Sequence, residues 1–263
     1  MTDQSSFFPD FHVTMAQPCP YLPGKLERKL FTHLTPDKPN QFIDKLLRNG
    51  FRRSQNVAYL PYCNDCHACV SVRIVVDQFA PGKSFRRLNK RNMDLVATRV
   101  KRKATNEQYE LFDRYINARH GDGGMAEMDH FDFSMMIEES EADTFLTEYR
   151  LRPPLDEPDI EPSANPGESS KNQKNPLIAV SLCDRLSDGV SMVYSFFDPQ
   201  YADRSLGTYM ILEHVDYARR QGLPFLYLGY WIDGCRKMSY KSRFSPQQHL
   251  TPDGWVDRDE QGS

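Results

Sequence analysis

Lys237, Tyr240 and Lys241 stand within five residues of one another in the string Tyr227-Leu-Gly-Tyr-Trp-Ile-Asp-Gly-Cys-Arg-Lys-Met-Ser-Tyr-Lys-Ser-Arg-Phe244. Ammonium and phenol groups donate protons and hydrogen bonds. Such a cluster suits a reaction that develops an oxyanion and expels an alkoxide. The 18 positions of the string also hold five aromatic residues and four cations, with glycines between them. Aromatic faces stack unpaired bases, cations bind phosphate and carboxylate, and glycines admit a ligand to the backbone. Lys237 and Lys241, four apart, share a side of an extended segment and are neighbours in a helix. A buried strand and turn with a solvated basic rim would use the same residue types.

Three arginines, Arg52, Arg53 and Arg73, flank a run of cysteines. The planar guanidinium fork holds a carboxylate in two-point contact, so these are the candidates for binding an acidic group. Arg119-His120 is a second possibility: His120 can exchange a proton near pH 7, and a histidine at a helix end can equally serve the helix dipole. Cys63-x-x-Cys66-x-x-Cys69, with Cys19, has spacing that a zinc or iron–sulfur site could use. The paired Cys-x-x-Cys knuckles of zinc sites are absent, and a reduced, buried cysteine turn behind Arg73 would look the same. The chemistry outlined above requires no cofactor. Cys183, in an apolar run, reads as a small core residue.

Charge is unevenly spread. Lys83 to Lys103 carry nine Lys or Arg against Asp94 alone, a block of +8 in a chain of net −3. Concentrated positive charge of this kind is an electrostatic footprint for nucleic acid, and Arg99, Lys101, Arg102 and Lys103 are the densest part of it. Hydrophobic content of 39% and charged content of 26% fit an ordinary soluble protein. No run approaches the ~20 apolar residues of a membrane span, and MTDQSSFFPDF has neither the basic head nor the apolar centre of a secretion signal. The cytosol is the expected compartment, where the six cysteines would not form structural disulfides.

The elements that must position these residues follow from periodicity. Residues 38–49 read as a helix with Phe42, Ile43, Leu46 and Leu47 on one face and Gly50 as its stop. Thr105 with Gln108 forms a capping box opening a helix through Ala118, ended by Gly121-Asp-Gly-Gly124. DTFLTEYRL (143–151) and LIAVSLCDRL (177–186) are strands able to pair as a hairpin. The proline-rich stretch 153–176 between them is expected to be a disordered insertion at the hairpin tip. Val190–Phe197 is a strand closed by Asp198-Pro199, Leu206–Arg220 a helix stopped by Gly222, and Phe225–Leu228 a further strand. This order fits an α/β acyltransferase half, in which a mostly antiparallel sheet splays open to admit an acyl donor. Arg204-Ser-Leu-Gly207-Thr208 resembles the glycine loop that grips pyrophosphate at a helix start in acetyltransferases, with Thr208 in place of the last glycine.

Across nearly its whole length the chain resembles the aminoacyl-tRNA–protein transferases. The matching segments are Cys19-Pro-Tyr-Leu, Gly50-Phe-Arg-Arg-Ser54, Tyr59-x-Pro61, Cys66, Val72-Arg73, Tyr115, His120, Val190 to Pro199, Ser205-Leu-Gly-Thr-Tyr209 and the string 227–244. The CPYLPGKLERK start and the compact cysteine run are similar to the bacterial branch, the aspartate/glutamate leucyltransferases. The resemblance implies transfer of leucine from Leu-tRNA to the α-amine of proteins beginning with Asp or Glu, which marks them for degradation. It implies an α/β (α+β) fold with an acetyltransferase-like central sheet, flanking helices and two closely packed, intertwined parts. The first, 1–105, would carry acceptor recognition, the cysteine cluster and the basic block; the second, 106–263, would hold the acyl-transfer cleft. Lys237, Tyr240 and Lys241 are then the catalytic candidates. Arg52, Arg53, Arg73, His120, Tyr230, Arg204 and Gly207 are the substrate-binding candidates. Distantly related arginyltransferases carry a Cys-x-x-Cys and an adjacent Cys pair, which Leu22 and His67 interrupt here. Arginyl transfer, a non-catalytic RNA-binding module, and a small-molecule acetyltransferase using Arg204–Thr208 are the other readings.

Overall fold

Fourteen strands and five α-helices occupy the residues that the computed structural model describes, namely 10–38, 40–120, 124–152 and 175–258. In chain order they are β1 (His12–Val13), β2 (Gln17–Pro18), β3 (Leu26–Glu27), β4 (Lys29–His33), α1 (Asn40–Arg48), β5 (Arg52–Ser54), β6 (Val57–Pro61), β7 (Val70–Val75), α2 (Lys83–Arg91) and β8 (Leu95–Lys101). The second half supplies α3 (Asn106–His120), α4 (His130–Glu138), β9 (Thr144–Leu151), β10 (Leu177–Leu186), β11 (Gly189–Phe197), α5 (Leu206–Arg220), β12 (Phe225–Trp231), β13 (Gln247–Thr251) and β14 (Gly254–Asp257).

Local chemistry accounts for most of these boundaries. Thr105 and Gln108 exchange side-chain and backbone hydrogen bonds at 3.2 and 3.1 Å, the reciprocal cap that starts α3. α1 buries Ile43, Leu46 and Leu47 and stops at Gly50, whose φ of 89° is a left-handed conformation open to glycine. β9 and β10 pair antiparallel from Thr144↔Asp184 to Arg150↔Leu177, as the two apolar runs suggested. Most of the expected insertion between them, 153–174, lies outside the described residues, as does 121–123 at the glycine run.

A mixed sheet of eight strands, ordered β14-β13-β7-β12-β11-β10-β9-β8, forms the centre of the molecule. Every neighbour pair is antiparallel except β11 and β12, which run parallel and meet only at Gly189–Ser191 against Phe225–Tyr227. Beyond Ser191 and Tyr227 the two strands part. Gly229 stands there with φ of 75°, beside a register shift against β7 that bends β12 away. β7 and β8 precede residue 105 yet pair with strands that follow it, so a boundary near 105 divides the sequence and not the sheet.

Helices cover both faces. On one, α5 lays Ile211, Leu212 and Val215 over Val190 and Leu226, joined by Phe85 of α2. On the other, Leu111, Phe112 and Ile116 of α3 and Phe133 of α4 pack on Leu146, Val180 and Phe196. A second sheet, β1-β4-β6-β5, and α1 adjoin the far end of that face, through Ala58, Leu186 and Tyr227. Among the described residues no helix is long and apolar enough to cross a membrane.

Candidate active site

The gap between β11 and β12 is filled by one cation. Arg52, at the start of β5, sends its Nη2 to the carbonyls of Met192 (2.7 Å) and Val193 (3.1 Å), which have lost their β12 partners. Its guanidinium lies so close over Gly229 that a Cβ there would fall 2.7 Å from Cζ. Any side chain on Gly229 would expel it. Among the described residues, Nε and Nη1 of Arg52 have no hydrogen-bond acceptor, which leaves them for a ligand.

Lys241 stands near this cation. It belongs to a 3-10 turn, Ser239–Arg243, held against the sheet by Phe244, which is fully buried and stacks on Phe85 with centroids 4.9 Å apart. Gln247 pins the same turn by donating to the carbonyls of Lys241 and Phe244. The outcome is a lysine only 7% exposed, its Nζ donating to the carbonyl of Tyr230. Burial, aided by the positive charge of Arg52, pulls its pKa from 10.5 down to about 7. A substantial fraction of the amine is therefore neutral near neutral pH and able to accept a proton.

Tyrosines ring the same gap. Tyr240, 39% exposed, has its phenol pKa raised by partial burial, against the pull of Arg52. Tyr230 is buried, its hydroxyl set between the carbonyls of Gly50 and Tyr59, and burial holds it protonated. Tyr115 of α3 and Tyr194 of β11, neither of them a site candidate in the sequence, are coupled to the group: Tyr115 acts on Tyr240 and on Tyr194. The signals for them in the sequence were the family-matching Tyr115 and the matching segment Val190 to Pro199 that contains Tyr194.

The structure separates the other sequence candidates from the gap. Arg53 makes a two-point ion pair with Asp184, both contacts 2.8 Å, with side chains 1% and 0% exposed. It ties β5 to β10 and has no free edge for an acceptor. Arg73 is sandwiched between Phe225 (3.4 Å) and Trp255 (4.3 Å) and bonded to Tyr227 and Gln248, so it too is a joint of the fold. Arg204 pairs with Asp94 and Asn92, and a Cβ added at Gly207 would meet the Phe197 ring at 3.8 Å. Arg99 forks onto Glu213, both contacts 2.7 Å, and stacks on Tyr217; Arg102 is bonded to the carbonyls of Glu138 and Ser140. Lys101 and Lys103 are exposed. Lys237 is exposed and, among the described residues, has no hydrogen bond or ion pair, and nothing joins it to Lys241. The His120 side chain lies outside the described part.

The four cysteines of the N-terminal region do come together electrically. Burial, and then Cys19, Cys63 and Cys66, push the Cys69 thiol up to about 12. Among the described residues no group of three or more His, Cys, Asp or Glu is arranged to hold a metal ion.

Two family models cover most of the chain: residues 17–87 match the N terminus of the arginine-tRNA-protein transferases, and residues 107–251 match their C terminus. The chain belongs to that family. Its relatives include proteins named aspartate/glutamate leucyltransferase. One from Bradyrhizobium diazoefficiens is 49% identical over 100% of this chain and 97% of its own. Another from Methylorubrum populi is 52% identical over 97% of this chain and 99% of its own. Among solved structures, FemX superposes with a TM-score of 0.45 at 11% identity, over 80% of this chain and 64% of that one.

Proposed function

We propose that the chain transfers leucine from Leu-tRNA to the α-amine of proteins beginning with Asp or Glu, with the gap between β11 and β12 as the transfer site. The observation that carries this reading is the buried Lys241 amine set near the partly free guanidinium of Arg52. Full-length similarity to proteins named for this activity supports it.

An aminoacyl ester is already activated, and an α-amine with a pKa near 8 is partly neutral at neutral pH. The site therefore needs to align the two, stabilise the tetrahedral oxyanion and move one proton. The amine attacks the ester carbonyl, and neutral Lys241 takes the proton from the resulting ammonium. Lys241 or Tyr240 then returns a proton to the ribose oxygen as the C–O bond breaks. Arg52 presents Nε and Nη1 to the acceptor's side-chain carboxylate, an arrangement that suits Asp and Glu and not Lys. The product protein carries a new N-terminal leucine, a degradation mark, in the cytosol where charged tRNA is found.

The test mixes purified protein with labelled Leu-tRNA or Arg-tRNA and peptides beginning with Asp, Glu, Lys or Ala. Leucine on the Asp and Glu peptides alone is the expected result. Transfer from Arg-tRNA instead would assign the donor named by the family models. Equal transfer to Lys-starting peptides would remove Arg52 from acceptor selection.

A further inference from the structure

Helix α2 has two unlike sides. Phe85 and Leu88 face the core, Phe85 touching Phe79 and Phe244, while Lys83, Arg86, Arg87, Lys90 and Arg91 are all exposed on the other side. The five cations recur at i, i+3, i+4, i+7 and i+8, so they form one stripe. Among the described residues none of them pairs with a carboxylate; Arg86 and Arg91 bond only to the carbonyls of Pro81 and Asp203.

Helix stability does not account for the first part of this stripe, although Lys90 and Arg91 in the last turn do complement the dipole. Lys83 sits at the N-terminal end, where a positive charge opposes the helix dipole, no acidic residue occupies the first turn, and Gly82 provides no side-chain cap. Neighbours three and four apart on the stripe are like-charged, which weakens a free helix. The cations of the adjoining strand contrast with them, since Arg99 and Arg102 are engaged by the protein itself.

The helix that carries the stripe is also tied to the transfer site through its core side. Phe85, in the first turn of α2, stacks on Phe244, the residue that holds the Lys241 turn, and Arg243 from that turn lies 5.2 Å over the Phe85 ring. Arg243 is itself exposed while touching α2 at Phe85, and exposed Arg236 and Lys237 lie on the chain leading into the same turn. Nine residues at ~1.5 Å each make α2 about 13 Å long, the length of a few successive backbone phosphates. A partner that must place its 3′ ester at Lys241 while its polyanionic stem lies close by fits this arrangement.

We infer that the exposed stripe of α2, and not the residue 99–103 segment, is the docking surface for the acceptor-stem phosphates of the tRNA. The inference rests on the transferase reading above, but its readout is tRNA binding and not transfer. The variant is the combined Lys83→Gln, Arg87→Gln, Lys90→Gln protein, which spares the two arginines bonded to backbone. Lys101→Gln with Lys103→Gln is the comparator. Each lost phosphate contact lowers the slope of log affinity against log salt by ~0.7–0.9, so three lower it by about 2 to 3. At about 0.15 M salt that corresponds to a loss on the order of 10²-fold in tRNA affinity. The KM for Leu-tRNA should rise while kcat at saturating tRNA and the peptide KM hold.

An unchanged salt slope in the α2 variant would overturn the inference, as would a loss confined to the Lys101/Lys103 comparator. So would loss of binding to phosphatidylglycerol vesicles with tRNA affinity intact, which would make the stripe a membrane contact. Wild-type protein that binds tRNA through α2 but transfers no amino acid would leave the docking surface standing and bring down the transferase reading.

Discussion

Replacing Lys241 with methionine should make the protein more stable and less active. The unfolded lysine titrates near 10.5 and the folded one at about 7. Below pH 7 both states carry the proton, and the folded state bears the full cost of a buried ammonium, ~5 kcal/mol at about 1.4 kcal/mol per pKa unit. Between pH 7 and 10.5 the folded amine is neutral while the unfolded one still binds a proton, so wild-type stability from this group rises with pH across that window. Lys241→Met removes the cost but leaves the Tyr230 carbonyl without its donor, a penalty of about 1–3 kcal/mol. The net gain is about 2–4 kcal/mol at pH 6, which is ~5–15 °C in Tm, shrinking towards pH 10. Single-turnover transfer from Leu-tRNA should fall about 10²–10⁴-fold. Its pH profile should lose the limb near 7 and keep the one near 8 that belongs to the acceptor amine. Paired melts at pH 6 and pH 10, read beside that pH profile, test both halves. A Tm difference identical at the two pH values would refute the buried-ammonium argument, and a retained limb near 7 would refute the catalytic one.

Three other perturbations separate fold from chemistry. Arg53→Met leaves Asp184 as an unpaired buried charge and should cost about 3–5 kcal/mol, seen as a fall in Tm by circular dichroism; an unshifted Tm would mean water reaches the pair. Gly229→Ala drives a Cβ into the Arg52 guanidinium, so transfer to Asp- and Glu-starting peptides should drop at least tenfold in folded protein, with selectivity against Lys-starting peptides reduced. Full selectivity in that variant would take Arg52 out of acceptor binding. Cys69, with its thiol raised to about 12, should resist iodoacetamide at pH 8, which peptide mapping by mass spectrometry reads directly, and ready alkylation of Cys69 at that pH would refute the burial argument.

Local chemistry was legible in the sequence wherever a single element decides the outcome. The Thr105–Gln108 cap, the Gly50 stop and the two apolar runs that pair as β9 and β10 were all readable because their partners are near in sequence or alike in pattern. The arginines could not be sorted in the same way. Arg53 and Asp184 are 131 residues apart, and Arg73 is fixed by Phe225, Trp255 and Gln248 from the far end of the chain. A guanidinium bound for a buried partner and one left for a ligand look identical in one dimension. Arg52 and Arg53 are adjacent, and the alternation of a strand sends them to different fates. The basic block was visible as a whole, but which of its members are already neutralised depended on Glu213 and on the carbonyls of Glu138 and Ser140.

The short parallel contact between β11 and β12 divides the central sheet into two leaves, β14-β13-β7-β12 and β11-β10-β9-β8. Each leaf draws one strand from before residue 105 and three from after it, and the chain crosses the seam through α2 and again through α5. Neither residues 1–105 nor residues 106–263 can complete a leaf alone. The two pieces expressed separately would each present unpaired strand edges and aggregate, yet coexpressed they have every reason to find one another. Such a pair would amount to a split transferase whose two halves regain activity only together.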